Sequence, residues 1–181
     1  MRLLFVCTGN TCRSPLAEGI ARCVIAQRAM RDIEVSSAGT SAWPDAPASD
    51  GALLVAMERG IDLGEHRARQ LSPEMVEASE LIIAMGPHHL ERAEALGGAG
   101  RTWLLTGFAD PTRARPISDP FGGDLDVYRA TLEELEHEVS AVLDRIATNR
   151  DGGAWALTRG RSCVVRQNVG RDRSRCDRAR R

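Results

Sequence analysis

Nine residues near the start of the chain, Cys7-Thr8-Gly9-Asn10-Thr11-Cys12-Arg13-Ser14-Pro15, place a thiol, a guanidinium and several hydroxyls within one short segment. They follow the apolar run Leu3 to Val6 and precede Leu16 to Met30, where Leu16, Ile20, Cys23 and Val24 recur at helical spacing. Strand, tight loop and helix start is the local reading. Such a loop turns successive backbone N–H groups and a helix N-terminus toward one point, which suits an oxyanion. Cys7 stands at that point. A thiol with an ordinary pKa near ~8.5 carries little thiolate at neutral pH. The helix-end N–H groups, Arg13 and a hydrogen bond from Ser14 all favour the anion, so an ionised Cys7 nucleophile is expected. Arg13 has a fork of donors matched to two oxygens of a phosphoryl group. Pro15 fits a first helical turn, and Gly9 and Asn10 tolerate left-handed backbone. The competing reading makes Cys7 an ordinary buried cysteine and Arg13 a surface charge; the flanking strand, Ser-Pro and amphipathic helix weigh against it. A Walker-type loop is excluded, since the chain has no lysine.

The elements that must hold this loop are legible as alternating patterns. Strand-like runs fall at Leu3 to Val6, Ile33 to Ser36, Leu81 to Met85 and Thr102 to Leu105. Helical patterns fill the intervals near Leu16 to Met30, Ala48 to Arg59, Pro73 to Ala78 and Pro87 to Leu96, and the longest spans Leu125 to Ala147. In that helix Leu132, Leu135, Val139, Val142, Leu143 and Ile146 trace one face, with Glu133, Glu134, Glu136 and Glu138 largely outside it. Alternation of this kind predicts an α/β fold, a parallel sheet covered on both sides, with ligands beyond the carboxyl ends of the strands.

The chain has 181 residues, 43% hydrophobic and 27% charged, enough for one domain with a single core. Its formal net charge of -1 hides an asymmetry. Residues 1–150 carry 15 Arg against 22 Asp and Glu, a net of -7, whereas residues 151–181 carry 9 Arg against 3 Asp, a net of +6. The expected division is therefore a catalytic domain over 1–150 and an Arg-rich tail over 151–181. Hydrophobic periodicity stops at Asp151, and the tail reads as disordered or weakly helical. Contact with nucleic acid is disfavoured except through that tail, where Trp155 is the single aromatic. No apolar stretch approaches a membrane span or a signal peptide, so a cytoplasmic protein without membrane contact is expected. Five irregularly spaced cysteines do not form a secreted disulfide framework, and Cys7 with Cys12 lacks a second ligand pair for zinc. Neither metal nor cofactor is expected.

Phosphoryl transfer to Cys7 calls for a carboxylic acid to protonate the departing atom and then activate water. Asp110-Pro111 and Asp119-Pro120 both qualify on residue type.

Cys7 to Pro15 resembles the phosphate-binding loop of the low-molecular-weight protein tyrosine phosphatases, a family that includes bacterial protein arginine phosphatases and thioredoxin-linked arsenate reductases. The likeness extends through Ser37-Ala38-Gly39-Thr40, Ala42-Trp43, His66-Arg67-Ala68-Arg69-Gln70 and Asp119-Pro120-Phe121-Gly122-Gly123, and ends near Arg150. It implies four parallel strands flanked by helices in a Rossmann-like three-layer arrangement. It also implies Cys7 as nucleophile, Arg13 and the Thr8, Gly9, Asn10, Thr11, Cys12 and Ser14 backbone as phosphate ligands, and Asp119 rather than Asp110 as general acid. Phe121 and Tyr128 fit that pattern. Ser37 and His66 match positions that brace the loop through Asn10 and Ser14, while His88 and His89 are read as surface residues. Thr11, Trp43 and Phe121 are the expected specificity positions. Threonine with Asp-Pro-Phe-Gly-Gly matches members acting on phosphoarginine; Trp43, a wall for an aromatic ring, keeps phosphotyrosine as the alternative. Arsenate reduction is disfavoured, because residues 80–96 hold no relay cysteine. A Cys7–Cys12 disulfide is the expected reversible protective state. Phosphorylated proteins are the expected partners of a monomer, and a phosphate-binding scaffold without turnover is the non-enzymatic reading.

Overall fold

The computed structural model describes residues 1–151, with side-chain detail to residue 149. The expected Arg-rich tail lies outside the described residues. Four strands, β1 (Arg2–Cys7), β2 (Glu34–Gly39), β3 (Leu81–Ala84) and β4 (Thr102–Leu104), form one parallel sheet in the order β2-β1-β3-β4. β1 is central, and every residue of it after Arg2 is buried. Its side chains alternate between two cores, as a pleated strand requires. Leu3, Phe5 and Cys7 join the cluster built with α1 (Arg13–Gln27), α2 (Asp50–Glu58) and α6 (Leu125–Asp151). Leu4 and Val6 face Leu71, Val76 and Ala93, the last two from α3 (Pro73–Ala78) and α4 (Pro87–Ala93). The result is the expected three-layer α/β arrangement.

α6 buries all six residues of its predicted face and continues past Ala147 to Asp151. One of its acidic residues departs from expectation. Glu138 is buried rather than outside the face, and Arg113 donates to it at 3.0 Å. α1 starts three residues earlier than its periodicity indicates, at Arg13, and stops at Gln27, two residues before the left-handed Ala29 (φ 55°). Beyond α4 the chain makes a π turn over Glu94–Gly98, where Gly97 has φ 99°. A short helix α5 (Leu105–Ala109) and a 3-10 turn at Pro111–Arg113 have no predicted counterpart, being too short to establish a period.

What matters for the site is the upper end of the sheet. Register pairs Cys7 with Gly39, so both strands run to the edge where the loop 8–12 begins. Gly39 is required there. A Cβ on it would lie 2.4 Å from the Thr8 carbonyl oxygen and 2.9 Å from the Asn10 nitrogen.

Candidate active site

The loop after β1 enters α1 at Cys12, whose side chain provides no cap. The first N–H groups of the helix are left for a ligand, as an anion site requires. Asn10 takes the left-handed conformation at φ 56°, whereas Gly9 does not; only one of the two tolerant residues is used this way. The loop borders a pocket of about 220 Å³, with Cys7, Thr8, Gly9, Thr11, Cys12 and Arg13 on one side and Asp119 and Phe121 on the other. Its size suits a tetrahedral oxyanion and the beginning of a side chain. Cys7 is 2% exposed but opens into this space. Ser14 Oγ lies 2.9 Å from Cys7 Sγ, and the Asn10 N–H donates to the same sulfur at 3.3 Å.

Asn10 organises the loop from inside. Its Nδ2 donates to Ser14 Oγ and to Ser37 Oγ, both at 2.9 Å, and its Oδ1 accepts from the Arg69 N–H at 2.8 Å. His66 Nε2 meets the Asn10 carbonyl at 2.7 Å. Ser37 and His66 therefore converge on Asn10. Two further members were not anticipated. Ser37 Oγ donates to Glu18 Oε2 at 2.6 Å, and Glu18 also accepts from Arg22 on the next turn. Ser14 and Glu18 stand four residues apart on one helix face, which was the available signal. Cys12, the second thiol, lies 3.1 Å from Ser49 Oγ and 3.5 Å from the Tyr128 hydroxyl, beneath the loop.

Arg13 is 5% exposed and reaches across the pocket to Asp119. Its Nη2 pairs with Asp119 Oδ2, and its Nη1 donates to the Ile117 carbonyl at 3.2 Å. Asp119 Oδ1 accepts from the Phe121 N–H at 3.2 Å, closing the turn. Asp110 instead caps the turn at Thr112, away from the pocket lining. Trp43 requires a correction. It is 82% exposed and outside the pocket wall, because the turn closed by the Ala46 N–H on the Trp43 carbonyl leaves the indole in solvent. Phe121, 77% exposed, does border the opening.

The sequence profile described as "Low molecular weight phosphotyrosine protein phosphatase" matches residues 2–151. The chain belongs to that family. A protein-arginine-phosphatase of Geobacillus stearothermophilus is 36% identical over 151 residues, covering 82% of this chain and 98% of the relative. The low molecular weight protein-tyrosine-phosphatase PtpB of Staphylococcus haemolyticus is 37% identical over 136 residues, covering 75% and 92%. A solved structure of the YwlE arginine phosphatase, a C7S mutant with a phosphorylated active site serine, superposes with a TM-score of 0.78 at 31% identity, covering 83% of this chain and 99% of that one.

Electrostatics of this phosphatase-family pocket differ from expectation in one respect. Burial is the largest influence on Cys7 and pushes its thiol up; the Ser14 side chain and N–H, Arg13 and the Asn10 N–H oppose it. Burial thus works against the ionised sulfur that the sequence leads one to expect. Arg13, which lowers the thiol pKa, is itself paired with Asp119. The other correction concerns His89, read as a surface residue. It is fully buried on the first turns of α4, with Nε2 2.8 Å from Thr8 Oγ1. Nothing in the local pattern distinguishes it from its neighbour His88. Among the described residues no helix is long and apolar enough to cross a membrane.

Proposed function

We propose that this chain hydrolyses phosphorylated side chains of proteins through a phosphocysteine at Cys7, with phosphoarginine as the favoured substrate. A phosphoryl dianion entering the pocket takes over the Arg13 fork and the loop N–H groups, releasing Asp119. The Cys7 thiol proton passes to the released Asp119 carboxylate, and the resulting thiolate attacks phosphorus in line with the departing nitrogen. The S–P bond forms as the P–N bond breaks, and Asp119 in its acid form protonates the guanidino nitrogen. Asp119, now a carboxylate, takes a proton from water as that water attacks the phosphocysteine and the S–P bond breaks; inorganic phosphate leaves, and the proton held by Asp119 returns to the departing sulfur to restore the thiol. Ser14, held by Asn10, keeps a donor on the sulfur throughout, and the network through Ser37, His66 and Glu18 spares the loop reorganisation during the reaction.

The observation that carries the arginine reading is Thr11 on the pocket lining, together with Asp119 and Phe121. A hydroxyl at this position can hydrogen-bond a polar guanidinium or the attacking water, which a branched apolar side chain cannot. The relatives named for arginine phosphatase activity lend support, while the similar tyrosine phosphatase keeps phosphotyrosine as the second reading. A reducing compartment such as the cytoplasm suits a cysteine nucleophile at Cys7, with Cys12 as its partner in a protective disulfide. We assign this activity to residues 1–150, so truncation after Arg150 leaves turnover of small aryl phosphates intact. The deciding experiment measures kcat/KM for phosphoarginine and phosphotyrosine peptides in the wild type and in Thr11→Ile. Preference for phosphoarginine that shifts toward phosphotyrosine in the variant supports the assignment; an unchanged ratio removes Thr11 as selector.

A further inference from the structure

His89 contributes nothing to the reaction as written, yet it is a fully buried imidazole whose partner lines the pocket. Its two nitrogens are in unlike positions. Nε2 lies 2.8 Å from Thr8 Oγ1, while Nδ1 is sealed from solvent with no hydrogen-bond partner among the described residues. An orphaned N–H in the interior is rarer than an orphaned acceptor, so the neutral ring places its proton on Nε2 and leaves a bare lone pair on Nδ1. Burial, then His88, then Arg13 hold the ring neutral, its pKa lowered to about 3. The direction of the bond to Thr8 follows: the imidazole donates and the hydroxyl accepts.

A threonine hydroxyl has one proton of its own to give. With Nε2–H aimed at its oxygen, that proton cannot point back at the ring, and no other hydrogen bond engages Thr8 Oγ1 among the described residues. Thr8 itself lines the cavity. We propose that His89 is a positioning residue that fixes the Thr8 hydroxyl as a hydrogen-bond donor to a phosphoryl oxygen in the Cys7 pocket. Thr8 thereby adds a side-chain donor to the backbone N–H groups, on oxygens that gain charge as phosphorus becomes five-coordinate. The inference rests on the phosphatase reading and deepens it.

The test uses Thr8→Val, Thr8→Ser, His89→Leu, His89→Gln and the Thr8→Val/His89→Leu pair. For each, kcat/KM on an aryl phosphate and the inhibition constant of inorganic phosphate are measured. Thr8→Val is expected to lower kcat/KM and weaken phosphate by about 10- to 100-fold, the range for a hydrogen bond to a charged group. His89→Leu follows it in direction. Thr8→Ser retains the hydroxyl, and His89→Gln presents an amide N–H in place of Nε2–H, so both recover most of the loss. The paired variant falls no further than Thr8→Val alone, because the imidazole acts only through the hydroxyl. A purely architectural role would instead reduce the active fraction while leaving the phosphate constant unchanged. Wild-type phosphate affinity in Thr8→Val, or additive losses in the pair, overturns the assignment. Turnover that persists in Cys7→Ser, or none in the wild type, overturns the phosphatase reading and this inference with it.

Discussion

Replacing Gly39 by alanine tests whether the loop is as tightly braced as its geometry implies. The new methyl would lie 2.4 Å from the Thr8 carbonyl oxygen, 2.9 Å from the Asn10 nitrogen and 3.0 Å from Ala42 Cβ. Ordinary contact at about 3.5 Å demands that the loop and β2 separate by about 1 Å. Backbone cannot swing aside as a side chain does. The displaced groups are those that matter: the Thr8 carbonyl accepts from the Ser41 N–H at 2.9 Å, and the Asn10 N–H donates to Cys7 Sγ. Overpacking of this kind costs about 1–3 kcal/mol of stability, and a 1 Å misplacement of reacting groups costs about 100-fold in rate. The assay pairs kcat/KM on an aryl phosphate with urea unfolding. Gly60→Ala serves as comparator. Gly60 has φ 71° and nothing within 4 Å of an added Cβ, so its alanine strains the backbone by about 1–2 kcal/mol without touching the loop. Both variants lose stability, but only Gly39→Ala loses turnover. If Gly39→Ala keeps kcat/KM within about threefold of wild type, the pre-set loop is wrong.

Asp119→Asn removes the internal partner of Arg13, so inorganic phosphate binds more tightly while kcat for poor leaving groups drops by about 100-fold or more; equal kcat across leaving groups would refute the acid role. Ser14→Ala deletes the strongest of the groups opposing burial at Cys7, and the pH midpoint for iodoacetamide alkylation rises; an unmoved midpoint contradicts this. His89 makes stability pH-dependent in a defined direction. Its folded pKa is lowered from 6.5 to about 3, so its contribution is complete above pH 6.5 and declines as pH falls from there toward 3. The slope is up to about 1.4 kcal/mol per pH unit. Urea midpoints at pH 7 and pH 5 should differ more for the wild type than for His89→Gln, and identical differences would count against a neutral ring.

Much of this architecture is written in local patterns. β1 announces itself as an apolar run, α6 through six residues on one face, and the loop through a thiol and guanidinium six positions apart. Ser37 and His66 became interpretable only through resemblance, since their separation from Asn10 in sequence gives no hint of contact. His89 and Glu18 escaped even that. Each is a polar residue whose burial depends on a partner from another element, Thr8 in one case and Ser37 in the other; Glu18 left only its four-residue spacing from Ser14, and His89 left no periodic trace. Trp43 erred the other way. A large apolar residue invites a wall, but a turn closed on its own carbonyl turned it outward. Boundaries moved where backbone conformation rather than hydrophobicity decided them, as at Ala29 and Gly97.

The ion pair between Arg13 and Asp119 is a built-in placeholder on the guanidinium. Any visiting acid must first evict a tethered competitor present at high effective concentration. Singly charged carboxylates offer the guanidinium little that it does not already have, whereas on the proposed function a doubly charged phosphoryl group also recruits the loop N–H groups and prevails. Discrimination among cellular anions is thereby settled before any bond is broken.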